Sequence, residues 1–305
     1  MSAPERIPPR RMTVTDLLTH GELTVRGRVQ EASNAVLYCT VEHEGERVHC
    51  AYKPIAGERP LWDFPDGTLA QREVAAYEVS EALGWGLVPP TVLRAGPYGE
   101  GMCQLWIEGS AATLAVPDGP GTPDDPGAGD DPGTPDDPGT GDDPGTGLLA
   151  LLDTEQPGPG WKAIGFADVG GGRTALLVHA DDDRLRRLAV LDAVINNSDR
   201  KGGHLLPTAA GRLYGIDHGV TFHTDDKLRT LLWGWAGEPL PEDALTALTA
   251  LEAALESGQA LAARLSALLT EAEIAATRAR VAALLAAGIH PKPGGEWPAI
   301  PWPPV

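Results

Sequence analysis

The chain has 305 residues, 42% of them hydrophobic, and a formal net charge of −19. That length supplies one large or two small domains with ample material for a core. The acidic balance disfavours nucleic acid and anionic membrane surfaces as partners, and no apolar run of about 18 residues is present to span a bilayer.

Residues 1–20 form an N-terminal extension without the apolar stretch of a secretory signal, so a cytoplasmic location is expected. The three cysteines, Cys39, Cys50 and Cys103, are odd in number and far apart in sequence, which fits reduced thiols better than a disulfide framework or a zinc site. Residues 21–110 read as a β-rich lobe. "ELTVRGRV", "AVLYCTVEH" and "RVHCAYKP" are alternating or β-branched, and "QEASN" and "EGE" between them suit hairpin turns. "DGTLAQREVAAYEVSEALGWG" predicts a helix with Thr68 and Gln71 in a capping-box pattern and Gly84 as its stop. "TVLRAG" and "GMCQLWIEG" predict two further strands.

Residues 111–160 read as an acidic insert. Within it, residues 117–147 consist of Asp, Pro, Gly, Thr and Ala only, with nine Asp and no Lys or Arg. Such a segment has no apolar surface to bury against its ordering entropy and predicts disorder. Without those nine carboxylates the charge is about −10, still acidic.

Residues 161–290 read as a helical lobe: "DDRLRRLAVLDAVINN" with one apolar side, a short hairpin from "HLLP" and "RLYGI" across "TAAG", then two long Ala-Leu helices, "ALTALTALEAALESGQALAARLSALL" and "EAEIAATRARVAALLAAG". Trp233 and Trp235 read as core residues of this lobe. Residues 291–305, Pro-rich with two Trp, predict an extended surface strap with its rings docked. A β-rich part followed by a helical part predicts an α+β, two-lobed design with a ligand cleft between the lobes.

One loop concentrates the chemistry. "VINNSDRKGGHLL" interrupts an apolar stretch with Asp199, Arg200, Lys201 and His204. If "HLLP" and "RLYGI" pair symmetrically about "TAAG", His204 faces Gly215, and Asp217, two positions on, shares its face. An imidazole and a carboxylate so placed can hold a divalent cation, and a second carboxylate, Asp199, can orient a nucleophile. The cluster alone reads equally well as a loop of solvated charges. Asn196 and Asn197 read as caps of the helix end and the loop, and His218 and His223 as structural.

The order of the remaining residues adds a resemblance. Lys53 lies on the third strand in "AYKP", Glu73 on the next helix in "QREVAAYE", and "SDRKGGH" precedes "IDHG" in the second lobe. This order is similar to that of protein-kinase-like folds, where a strand Lys binds phosphates, a helix Glu positions it, a catalytic-loop Asp orients the acceptor hydroxyl, and a loop ligand with a D-x-G Asp holds metal. The pattern D-R-x-x-x-[N/H] followed by I-D-x-G resembles the atypical branch of phosphatidylinositol 3- and 4-kinases and HipA-type kinases. Stretches such as "YKPIAGERPLWDFPDGTLAQREVAAYEVSEALGW", "INNSDRKGGH", "LWGWAGEPLP" and "WPAIPWPP" resemble an actinobacterial family described as phosphatidylinositol-kinase-like.

The resemblance implies a bilobal kinase-like fold and an ATP- and Mg- or Mn-dependent phosphotransferase acting on a small-molecule or protein hydroxyl. No nucleic acid or stable membrane association is expected, and the oligomeric state stays open. It implies Asp199 as the catalytic-loop Asp, Asp217 as the metal Asp, Lys53 and Glu73 as the phosphate-positioning pair, Ser33 and Asn34 over the phosphates, and Trp106 and Glu108 at the adenine. Two departures stand out. His204 occupies the place of the loop Asn, which suits Mn²⁺ better than Mg²⁺, and Lys201 the place of a His, where it could supply charge to the transferred phosphoryl group. These departures keep open a nucleotide-binding pseudokinase with a scaffold or regulatory role. A metal-dependent phosphohydrolase built on the Asp/His cluster alone leaves Lys53 and Glu73 without a purpose.

Overall fold

Alternating side chains over residues 22–54 build three antiparallel strands, β1 (Glu22–Arg28), β2 (Leu37–His43) and β3 (Glu46–Pro54). The structure, a computed structural model, describes residues 12–29, 35–65, 67–109, 114–115, 147–294 and 298–303. Ser33, Asn34, Trp297 and the acidic repeat up to residue 146 therefore lie outside the described residues. The β2–β3 turn is Glu44–Gly45, with φ of 49° and 85°, the left-handed pair a two-residue hairpin needs. Strands β4 (Thr91–Gly96) and β5 (Gly99–Leu105) complete a five-stranded antiparallel sheet in the order β1-β2-β3-β5-β4.

The period of two along β3 decides what faces the cleft. Cys50 and Tyr52 point to one side, into a core shared with Cys39, Cys103 and helix α1 (Val14–His20). Ala51 and Lys53 point to the other. Although α1 lies in the stretch read as an extension, Leu17 and Leu18 are buried against the sheet, and each contributes roughly 1.5–3 kcal/mol. The cysteines distant in sequence meet here as free, buried thiols, with Cys103 Sγ 3.1 Å from Cys50 Sγ.

Helix α2 (Leu69–Leu83) is buried on nearly every side because it is wedged between this sheet and the core of the second lobe. Its polar residues therefore need partners. Glu73 pairs with Lys53, and Arg72 binds Glu273 and the Thr221 carbonyl. Gly84 ends the helix in the left-handed conformation as expected, but the capping box does not form. The Glu58 carboxylate instead accepts from the amides of Leu69 and Ala70 at 3.2 and 2.8 Å, while Thr68 Oγ1 donates back to the Pro65 carbonyl.

The second lobe contains a sheet the periodicity did not show. Leu149–Leu152 (β7) falls inside the stretch read as an insert, yet it is a buried strand between β6 (Leu114–Ala115) and β9 (Thr174–Ala180), with β8 (Trp161–Asp168) on the far edge. A short all-apolar run reads as helix or strand alike, and pairing with β9 decides it. Helix α3 (Asp183–Ile195) starts at the Asp182 cap and stops at Asn196 in the left-handed conformation. Its Leu185, Leu188, Leu191 and Val194 form the centre of the main core.

The first Ala-Leu stretch is two helices, α4 (Glu242–Ala254) and α5 (Ala260–Ser266), interrupted where Gly258 takes φ +89°. Helix α6 (Glu271–Ala287) follows behind a Thr270/Glu273 capping box. Trp233 and Trp235 are buried as expected. The strap is held by the Ala299 carbonyl, which accepts from Thr230 N and Trp233 Nε1, while Trp302 is 73% exposed rather than docked. No helix among the described residues is long and apolar enough to cross a membrane.

Candidate functional site

The hairpin that carries the site is β10 (Leu205–Pro207) and β11 (Leu213–Gly215). Its register differs by one from the symmetric expectation: Pro207 faces Leu213, and Leu205 rather than His204 faces Gly215. The reason is the turn. Gly211, at φ +76°, lets Thr208 and Arg212 pair as well, so the loop has three residues instead of four. His204 now lies opposite Ile216, whose amide donates to the His204 carbonyl at 3.0 Å. Asp217, the next residue, has φ +62°, a conformation Asp tolerates better than most side chains. His204 Nε2 consequently stands 3.4 Å from Asp217 Oδ2. The two groups meet as expected, by a different register.

Lys53 joins the lobes. Its Nζ lies 2.6 Å from Glu73 Oε1 and 2.8 Å from Asp217 Oδ1. The other Glu73 oxygen accepts from the His218 amide at 2.9 Å, so one carboxylate holds both the strand lysine and the Asp217 loop.

Asp199 sits on the loop between α3 and β10. Its amide donates to Asn197 Oδ1 at 3.0 Å, and its carboxylate lies 3.1 Å from Lys201 Nζ. Lys53, Glu73, Asp199, Lys201, His204 and Asp217 all line one cleft of about 580 Å³, and Trp106 borders its far end. Glu108 is exposed and lies off the lining.

Electrostatics differ from group to group. The Lys53 ammonium holds the Asp217 carboxylate well below the usual range. Burial opposes the charge on Lys53, but Asp217 and Glu73 outweigh it and raise the lysine. Burial raises Glu73 against the opposing pull of Lys53, and raises Asp199 against that of Lys201. Burial pushes His204 down to about 4, so its imidazole is neutral at pH 7 and keeps a lone pair.

His204 and Asp217, 3.4 Å apart, are the adjacent pair of donors in the cleft that could hold a divalent cation. No three His, Cys, Asp or Glu side chains converge on a common point among the described residues. A cation here would complete its shell with water or phosphate oxygens, as Mg²⁺ at nucleotides does. The Lys201 amide faces His204 Nδ1 at 3.4 Å; a cation at Nε2 puts the ring proton on Nδ1, so this long contact would have to yield.

The anchor of the loop is a residue the sequence reading passed over. Asp192, in the last turn of α3, is fully buried and binds Arg200 through Nε at 3.0 Å and through a terminal nitrogen at 2.9 Å. It also accepts from Asn197 Nδ2 at 2.9 Å and Thr230 Oγ1 at 3.3 Å. Arg200 in turn reaches the Ile216 carbonyl at 2.9 Å and His218 Nε2 at 2.6 Å. One buried carboxylate thus ties the Asp199 loop to the Asp217 loop. The available signal was a lone Asp on an apolar helix face. Asn196, expected as a cap, also binds the carbonyls of His223 and Asp225.

A five-stranded antiparallel lobe carrying helices α1 and α2, a larger mainly helical lobe, and a Lys–Glu–Asp bridge across the cleft define a bilobal kinase-like α+β fold. Protein Rv2133c of Mycobacterium tuberculosis (strain ATCC 25618 / H37Rv) is 46% identical over 296 residues, covering 96% of this chain and 97% of that one, and the chain belongs to the same family. No family model matches. Among solved structures, the Golgi casein kinase with Mn/ADP bound is similar at a TM-score of 0.48 and 13% identity, over 88% of this chain and 73% of that chain. Hydra Fam20 with sugar is similar at a TM-score of 0.47 and 13% identity, over 90% and 86%. The Helicobacter pylori proinflammatory kinase CtkA is similar at a TM-score of 0.41 and 11% identity, over 89% and 94%.

Proposed function

We propose that the cleft binds ATP with a divalent cation and transfers the terminal phosphoryl group to a hydroxyl. The observation that carries this reading is Lys53, 2.6 Å from Glu73 and 2.8 Å from Asp217, in the same cleft as Asp199. Glu73 is buried and fixed by α2, so it holds the ammonium in place. Asp217 is half exposed and can exchange Lys53 for a cation, leaving the lysine to phosphate oxygens. Mg²⁺ or Mn²⁺ held by Asp217 and His204 would neutralise phosphate charge.

Asp199 accepts the proton of the acceptor hydroxyl, a task helped by burial raising its pKa. Lys201, 3.1 Å from Asp199, places a positive charge where the phosphoryl group passes. The motif order supports the atypical branch of phosphatidylinositol and HipA-type kinases. The acidic balance favours a small polar molecule or a protein Ser/Thr over an anionic membrane lipid, and a cytoplasmic setting suits the reduced thiols.

The long contact at His204 Nδ1 and the Lys201–Asp199 pair favour, as a second reading, a nucleotide-binding pseudokinase. The test is a thermal-shift titration with ATP and Mg²⁺ or Mn²⁺, followed by ADP release across hydroxyl acceptors. ATP plus metal should raise the melting temperature, and Asp217→Ala should abolish the metal-dependent part. Asp199→Asn should keep nucleotide binding and lose turnover at least about a hundred-fold. Stabilisation without turnover selects the pseudokinase; no stabilisation by millimolar ATP removes both.

A further inference from the structure

The cleft has two chemically different ends. Lys53, Glu73, Asp217 and His204 crowd one of them. Among the described residues, the lining toward Trp106 is apolar, with Val29, Val36 and Ala51, and the polar side chain set among these is Gln104. Gln104 pairs with Ala51 across the β3–β5 ladder, so it faces the cleft with Ala51 and Lys53, about 7 Å from the lysine's position along the sheet. It is only 5% exposed.

The orientation of its amide is set by a chain of hydrogen bonds. Thr91 donates its hydroxyl proton to the Pro89 carbonyl at 2.7 Å. That hydroxyl has one proton, so toward Gln104 it can only accept, and Gln104 Nε2 donates to it at 2.9 Å. The amide nitrogen is thereby turned to Thr91 and the oxygen away from it. Gln104 Oε1 accepts no hydrogen bond from a described residue, and its side chain borders the open cleft rather than a sealed interior. A fixed acceptor in an apolar slot is matched by a flat heterocycle that offers a donor on its edge.

Building on the ATP reading of the same cleft, we propose that Gln104 is the base-reading residue: its side-chain oxygen accepts from an exocyclic amine, so the site selects a 6-amino purine over a 6-oxo purine. A 6-oxo group would set one acceptor against another, and Thr91, already donating to the Pro89 carbonyl, opposes the flip that would relieve the clash.

The experiment compares ATP with inosine triphosphate, which carries the 6-oxo group on the same ribose and triphosphate, by calorimetric titration of the full chain with Mn²⁺. The wild type should bind ATP about ten-fold more tightly than inosine triphosphate. Gln104→Leu, which keeps the volume and apolar burial, should bring the ratio below about three by weakening ATP, with the melting temperature of the free protein nearly unchanged. Thr91→Val frees the amide to turn and should lower the ratio without touching the cleft, which guards against a Gln104 variant that fails to fold. Equal affinities in the wild type, or a preserved ratio in Gln104→Leu, overturn the assignment while leaving nucleotide binding intact. Failure of the wild type to bind either triphosphate removes the nucleotide reading and this assignment with it.

Discussion

Two clusters of charge meet at the Asp217 loop and do opposite things. In one, Asp192 and Arg200 have side chains 0% exposed, and both are saturated by protein groups. In the other, Glu73 is 2% exposed, Lys53 20% and Asp217 50%, so burial is graded from the helix out to the cleft. A charge whose partners are all protein is scaffold, because any exchange of partner would strand a buried ion. A charge with one buried partner and one wet one can exchange the wet one for a ligand. The distinction separates the Arg of "SDRKGGH" from its neighbouring Asp and Lys, although all three look alike as letters.

The sharpest way to break this comparison is Asp192→Ala. Arg200 would remain buried without its counter-ion, and the expected loss is about 3–5 kcal/mol of stability, read as a lower urea midpoint. A variant as stable as the wild type would show that the buried pair is not the anchor. Lys53→Met should cost less, about 1–3 kcal/mol, because Asp217 rehydrates and Glu73 keeps the His218 amide; nucleotide affinity should fall by at least about ten-fold. A variant in which stability falls further than in Asp192→Ala would put Lys53 among the scaffold residues.

At neutral pH the smallest effect is that of two buried histidines away from the cleft, and it emerges on acidification. His179 accepts from the Gly234 amide at 3.0 Å, with Lys162, Asp181 and Glu238 nearby, and burial pushes it down to about 4. His290, beside Arg186 and Glu238, is likewise lowered to about 4, chiefly by burial. The unfolded chain binds protons on both near pH 6.5, so their contribution is complete above that pH and is lost progressively as pH falls toward 4. Melting temperature should decline over that window, and His179→Gln should flatten the decline. A decline of equal slope in that variant would exclude His179 as a source.

Much of the candidate site could be read in the sequence. Lys53 on the third strand, Glu73 on the following helix, and Asp199, His204 and Asp217 in one loop-hairpin unit all line the cleft. The hairpin register could not be read, because it hinges on whether Gly211 closes a loop of three residues or four. The Glu58 cap was missed because its acceptor lies eleven residues before the amide it binds, outside the reach of a capping-box pattern. Asp192 was missed because a single carboxylate on an apolar helix face looks like a boundary residue until its partners arrive from two separate loops.

The sequence alone determined the features carried by local chemistry: the alternation that puts Ala51 and Lys53 on one face of β3, the glycine that ends α2, and the order of the two charged loops. Tertiary structure decided what depends on non-local pairing. It made Leu149–Leu152 a central strand, gathered three distant cysteines into one core, and chose which of three adjacent charges would be buried against Asp192 and which would face the cleft. The physical reason is that burial is a property of neighbours. A side chain's own identity sets its cost of leaving water, and only the folded chain supplies the partners that offset it.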